Sequence, residues 1–244
     1  MKIWKMMLIS TLITLAIGGI YLFSVWKQRQ NPGVIPHEEA GDTLSKDDLV
    51  VMRAFSPAHY ADLKRLEATT VWMKNGYTMP YFSYVGDKIE FAAPVGLIPA
   101  ALRMDVKKIV KASVPANVDD SIEHGTHQAF AVFALPGSAK LYATAVGTMD
   151  SRLESYYTDM LFFYDDPHTI YAHWPADVWA TIDARQVKPG MSELETQMAL
   201  GNKLHADGND VGNRTVNYDQ DGKQWTVTYV KNRATAISTP AKSS

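Results

Sequence analysis

Side chains able to do chemistry gather most densely at "YDDPHTIYAHW", where Asp165, Asp166, His168 and His173 stand among Tyr164, Tyr171 and Trp174. Carboxylates and imidazoles are the donors of zinc sites and the working groups of general acid–base catalysis. Pro167 and the large rings equally suit a linker packed between two modules, and we read the segment as that linker, with these seven side chains as candidate binding residues. A second stretch, "EHGTH", sets Glu123, His124 and His127 close together. A His-x-x-His pair could share a metal, but no third or fourth ligand follows at metal-like spacing, so a loop between strands is expected. "DGNDVGN", Asp207 to Asn213, has the composition of a cation loop without the Glu and spacing of an EF-hand, and reads as a polar turn.

Other chemistry finds no footing in the pattern. The chain has no G-x-S-x-G elbow, phosphate-binding glycine loop, H-E-x-x-H or dinucleotide fingerprint. Its lack of cysteine excludes disulfides, thiol nucleophiles and thiolate zinc sites. A formal net charge of −2 offers no basic stripe to neutralise phosphates, so nucleic acid is not an expected partner. Neither catalytic residues nor a metal or cofactor are assigned. A ligand-binding or sensing module, and behind it a metal-dependent hydrolase using residues 165–173, stand as the alternatives to a non-catalytic protein.

Around these residues the chain divides into segments of different character. After Lys2 and Lys5, the stretch Met6 to Trp26 carries no charge, and Lys27 and Arg29 follow it. At about 1.5 Å per residue it reaches roughly 31 Å, the thickness of a bilayer core, so residues 1–30 read as an uncleaved transmembrane anchor. Positive charge is nearly balanced across it; a short N-terminal tail before a long folded region is the arrangement of a signal anchor. A single-pass bacterial inner-membrane protein with its soluble part in the periplasm is the expectation. Residues 31–44, with Pro32, Gly33, Pro36 and Gly41, form a tether.

Folded structure is expected from residue 45, with Ser56 capping a helix and Pro57 in its first turn. Residues 45–165 otherwise show short apolar runs separated by turn signals such as Gly86-Asp87 and Pro136-Gly137, the pattern of a small antiparallel β-barrel or sandwich, vaguely similar to SH3-type barrels. "QAFAVFAL" and "KLYATAVG" read as a hairpin, the first strand largely buried and the second alternating.

Residues 166–238 hold a clearer unit. Val178, Trp179 and Ile182 share one helical face, Gly190 breaks the chain, Ser192 and Glu195 make an S-x-x-E capping box, and Gly201 ends the second helix. Beyond it Trp225, Val227 and Tyr229 alternate with polar residues, and the whole reads as a helix hairpin covering a three-stranded meander, before a disordered tail at 239–244. Gly190 lets the chain turn and Met191 fills the gap between helix and sheet, both structural roles. The overall class is α+β.

"VKPGMSELETQMALG" followed by "QWTVTYVKNRATAIS" resembles the SmpA/OmlA family of BamE-type small envelope proteins at Gly190, Met191, Gly201, Trp225, Tyr229 and Asn232. The resemblance covers about the last seventy residues. It implies a helix pair on a small sheet, and work done by binding other envelope proteins. Relatives in that family are usually lipoproteins; this chain has no lipidation cysteine, and Asn202 stands where a proline often follows the helix-ending glycine.

Overall fold

The computed structural model describes residues 45–74, 79–116, 118, 127–149, 154–220 and 222–239, together with Gly18 and Phe23. Gly18 and Phe23 are helical; the rest of the anchor segment, the tether, Glu123, His124 and the last residues lie outside this set. Among the described residues no helix is long and apolar enough to cross a membrane. Residues Met1–Asp48 and Leu49–Ser244 form two compact units. In the first, Ser45 and Asp48 close a turn, with the Ser45 N–H donating to Asp48 Oδ2 at 3.0 Å.

The second unit is α+β and built on two antiparallel sheets. Residues 50–57 run without regular structure, and the expected helix begins later, at α1 (Tyr60–Leu63), continued by a 3-10 turn over Lys64–Leu66. Ser56 is no cap: its hydroxyl donates to the Asp159 carboxylate, a long-range partner that the local S-P pattern does not reveal.

The first sheet comprises β1 (Thr70–Met73), β2 (Pro80–Val85), β3 (Lys88–Glu90), β4 (Gly96–Leu97), β5 (Arg103–Ser113), β6 (His127–Ala134), β7 (Leu141–Met149), β8 (Glu154–Tyr156) and β9 (Phe162–Phe163). Its order is β3-β2-β7-β6-β5-β1-β9, with β4 on β2 and β8 on β7. The sheet does not close, which corrects the barrel expectation. A barrel has one interior, whereas β6 sends Ala129, Ala131 and Phe133 into one core and Phe130 and Val132 into another. β7 is likewise buried on both faces, from Ala143 to Gly147, rather than alternating. Central strands covered on both sides read as continuous apolar runs, and the run in "QAFAVFAL" is that signal. The β2–β3 hairpin turns through Gly86 and Asp87, both at positive φ, as a two-residue turn requires.

Short helices α2 (Thr158–Leu161) and α3 (Pro167–Ile170) lead into α4 (Ala176–Asp183) and α5 (Glu193–Leu200). The second sheet then runs in sequence as β10 (Asn202–Asp207), β11 (Thr215–Gln220), β12 (Lys223–Val230) and β13 (Arg233–Ser238). It has four strands, not three. β10 is an edge strand with a register shift between Lys203 and His205, and its mixed residues carry little apolar period, which is why alternation alone misses it. The apolar faces of helices and sheet meet as expected: Val178, Ile182, Met191 and Leu200 pack with Val216, Val227 and Tyr229.

The corner between α4 and α5 is stitched to the sheet. Gly190 has φ +88°. Its N–H donates to the Ala234 carbonyl at 2.9 Å, and the Ala234 N–H returns to the Met191 carbonyl at 2.7 Å. The Ser192 hydroxyl accepts from the Glu195 N–H at 3.1 Å while the Ser192 N–H donates to Glu195 Oε2 at 2.6 Å, the reciprocal capping box. Gly201 leaves the helix at φ +86°. A Cβ at Gly190 would meet nothing within 4 Å, so any cost of substitution there is backbone strain alone. Gly190→Val is expected to destabilise the protein by about 1–3 kcal/mol, and Gly190→Asn by less because Asn tolerates left-handed backbone. Urea unfolding of both variants checks this; equal stability of Gly190→Val and wild type would contradict it.

Candidate functional site

Of the polar residues of "YDDPHTIYAHW", Asp166 and His168 pair with each other, while Asp165 and His173 have other neighbours. Tyr164 is buried, and its hydroxyl donates to the Phe55 carbonyl at 3.3 Å. Burial pushes its phenol far above the ordinary range. Asp165 lies 3.3 Å from Arg53. Asp166 caps α3, accepting from the His168 N–H at 2.9 Å, with Pro167 in the first turn. His168 stands with Nδ1 at 3.0 Å from Asp166 and Nε2 at 3.4 Å from Asp183. Its ring stacks on Trp179 at 4.0 Å between centroids. The imidazole thus stands between two carboxylates, those of Asp166 and Asp183.

Tyr171 and Trp174 are buried, stacked at 4.4 Å. Phe163 of β9 meets the Tyr171 ring edge-on at 6.3 Å, so these rings link the first sheet to the core of the second. His173 is exposed, its ring 6.2 Å from those of Tyr171 and Trp174. Among the described residues no group of three or more His, Asp or Glu is placed to hold a metal ion. His127 opens β6, opposite Ser113 and Met149.

A buried ion pair lies elsewhere, at the first residue of α5. Glu193 is 5% exposed. Its carboxylate accepts from Arg214 Nε at 3.1 Å and Nη2 at 2.5 Å, and from the Gly212 N–H at 3.0 Å. Lys203 Nζ lies at 3.8 Å. The Glu193 N–H donates to Asn232 Oδ1 at 3.1 Å. A helix N-terminus, a two-pronged guanidinium and a backbone N–H therefore converge on one carboxylate, which is what burying that charge requires. Burial alone pushes the Glu193 carboxyl up, but the bonds from Arg214 and Gly212 outweigh it and hold the group below the ordinary carboxylate range.

This pairing locks the Asp207–Asn213 turn. Arg214 Nη1 donates to the Gly208 carbonyl at 3.1 Å. Gly212 sits at φ +85°, where a Cβ would come within 2.9 Å of Asn232 Cβ, so only glycine lets the two segments approach. Across that approach the Asn232 N–H donates to the Gly212 carbonyl at 2.8 Å, and the Lys231 N–H to Asn213 Oδ1 at 2.6 Å. Lys231 and Asn232 both have positive φ and turn β12 into β13. Beneath lies the hydroxyl pair Tyr218–Tyr229 at 2.9 Å, with burial pushing Tyr229 up to about 12.

Sequence reasoning passed over Glu193, Arg214 and Gly212. Glu193 is an ordinary first-turn acid, and its partner lies 21 positions along the chain. The usable signal was the Gly-Asn-Arg run at 212–214 beside the Asn232 turn. Met191 is buried, and Trp225 is half-buried with its indole N–H on Gln220 Oε1 at 3.3 Å. The chain matches no protein-family model, no curated protein and no solved structure.

Removing one partner of a buried pair strands the other, so Arg214→Ala is expected to cost about 3–5 kcal/mol in urea unfolding. The Glu193 carboxyl is held below its unfolded value of 4.5. Its contribution is therefore complete above that value and lost as pH falls through the lower folded value. Melts of the wild type should drop across this acid window, with a shallower drop for Glu193→Gln; identical slopes would contradict the assignment.

Proposed function

We propose that the chain is a non-catalytic interaction module, anchored in a bacterial inner membrane by Met6–Trp26, that binds another envelope protein through the end of its second sheet. The carrying observation is a contrast between rigidity and exposure. The turn before β11 and the turn after β12 are tied by the Glu193–Arg214 pair and the Gly212–Asn232 contact. Val211 and Val230, on those two tied segments, remain 65% and 51% exposed. A fixed surface with exposed aliphatic side chains loses little conformational entropy on docking. Lys231 and Arg233 beside them supply an exposed cationic rim for an acidic partner surface.

The resemblance of this module to BamE-type envelope proteins supports protein binding as its work. The structural engagement of Asp165 with Arg53 and of Asp166 as the cap of α3 supports the non-catalytic part of the reading. A photo-cross-linking amino acid at position 211 of the membrane-inserted full chain should yield one discrete protein adduct. Val230→Asp should abolish it, and the same probe at exposed Lys140 should yield none. Equal labelling from positions 211 and 140 would contradict the proposed surface. Alkaline phosphatase fused after Ser244 should be active; an inactive fusion would reverse the orientation.

A further inference from the structure

Beside the first sheet lies a cavity of about 300 Å³, lined by Arg53, Phe55, Arg65, Leu66, Thr70 and Tyr164 among others. We infer that this cavity binds a small monocarboxylate bearing a short apolar tail, with Arg65 as its counter-ion. The inference stands apart from the partner-binding reading, and the failure of either leaves the other intact.

The two arginines differ in occupancy. Arg53 is committed: it lies 3.3 Å from Asp165 and donates to the Tyr164 carbonyl. The Arg65 guanidinium lies over the Phe55 ring at 5.6 Å, and it is exposed. Among the described residues no carboxylate forms an ion pair with Arg65. Guanidinium groups bind carboxylates through two parallel N–H donors, so the group left open here is a carboxylate receptor. The Phe55 ring draws the guanidinium over this side of the cavity by cation–π attraction.

Below it the floor is apolar and fixed. Phe55 and Tyr164 meet edge-on at 5.9 Å, and Leu66 is buried. The Phe55 carbonyl accepts from Thr158 Oγ1 at 3.0 Å and from the Tyr164 hydroxyl at 3.3 Å, while its N–H donates to Asp159. Little ordering is left for a ligand to bring about. The charges around the cavity set the ligand's charge. Asp165 neutralises Arg53, and Asp105 accepts from Thr70 at 2.9 Å while pairing with Arg103 at 3.2 Å. One positive charge therefore faces one anionic head, and a second negative charge would find no counter-ion there, because Arg53 and Arg103 are already paired. Size follows from volume: at about 30 Å³ for a water's share of the liquid, the space holds on the order of ten non-hydrogen atoms. An eight-carbon carboxylate fits that measure. An ammonium head of the same length would face Arg65 and be rejected.

The test is calorimetric titration of the full chain in lipid nanodiscs, corrected with empty nanodiscs, using octanoate, octylamine and inorganic phosphate. Octanoate should bind saturably at one per chain, with no binding of octylamine or phosphate. Arg65→Gln, an exposed substitution, should keep the wild-type melting temperature and weaken octanoate by about tenfold or more. Lys140→Gln, exposed and away from the cavity, should leave octanoate affinity unchanged. Four outcomes would overturn the inference: no saturable octanoate binding, octylamine binding as tightly, phosphate binding as tightly, or Arg65→Gln matching the wild type.

Discussion

Glu193 carries a negative charge in the first turn of α5 with almost no access to water, and the geometry of the second sheet is arranged around meeting that demand. A carboxylate withdrawn from solvent is tolerated only when its lone pairs are filled by donors of the right shape. Arg214 supplies two of them and the Gly212 N–H a third. Each donor brings its own segment. Arg214 brings the start of β11, Gly212 brings the turn that precedes it, and Lys203 approaches from β10. Asn232, accepting from the Glu193 N–H, brings the β12–β13 turn. Glu193 thus ties the helix N-terminus, the turn before β11 and the β12–β13 turn at one corner, and Gly212 lacks a Cβ because the segments it joins leave no room for one.

The rest of the unit follows from apolar faces that need cover. The first sheet packs on both sides, so its central strands are apolar throughout and its edges never meet. The second sheet has one face under α4 and α5. Tyr171 and Trp174 belong to that core and also meet Phe163, the last residue of the first sheet. The segment richest in catalytic residue types is therefore also a packing seam. Its polar members serve that seam: Asp166 starts a helix, His168 stacks on Trp179, and Asp165 holds Arg53.

Local signals were legible in the sequence, and long-range ones were not. The Ser192–Glu195 box, the turns at Gly86-Asp87 and Pro136-Gly137, the left-handed glycines at 190 and 201 and the apolar face of Val178, Trp179 and Ile182 all depend on neighbours within a few residues. The differences between expectation and structure have separate physical causes. Ser56 found a partner in Asp159 rather than in its own helix. Closure of the sheet was misjudged because the apolar run of β6 fits one buried interior or two equally well until the opposite faces are assigned. β10 escaped notice because an edge strand needs no strict alternation. Glu193 and Arg214 were invisible as a pair because surface and buried carboxylates have the same sequence signature; only their separation in space distinguishes them.

A rigid corner with exposed aliphatic residues is the observation behind the proposed binding role. That role depends on Glu193 being ionised and fully bonded in the folded state, since a protonated carboxyl would give Arg214 no reason to hold the turn. Carbon-detected NMR titration of the Glu193 side-chain carboxyl in the folded protein reads this directly. The account predicts a midpoint below the ordinary value of 4.5, shifted upward in an Arg214→Lys variant whose cation lacks the two-pronged fork. A midpoint at or above the ordinary value in the wild type would contradict the account, since it would mean that burial, not the Arg214 bond, governs the group.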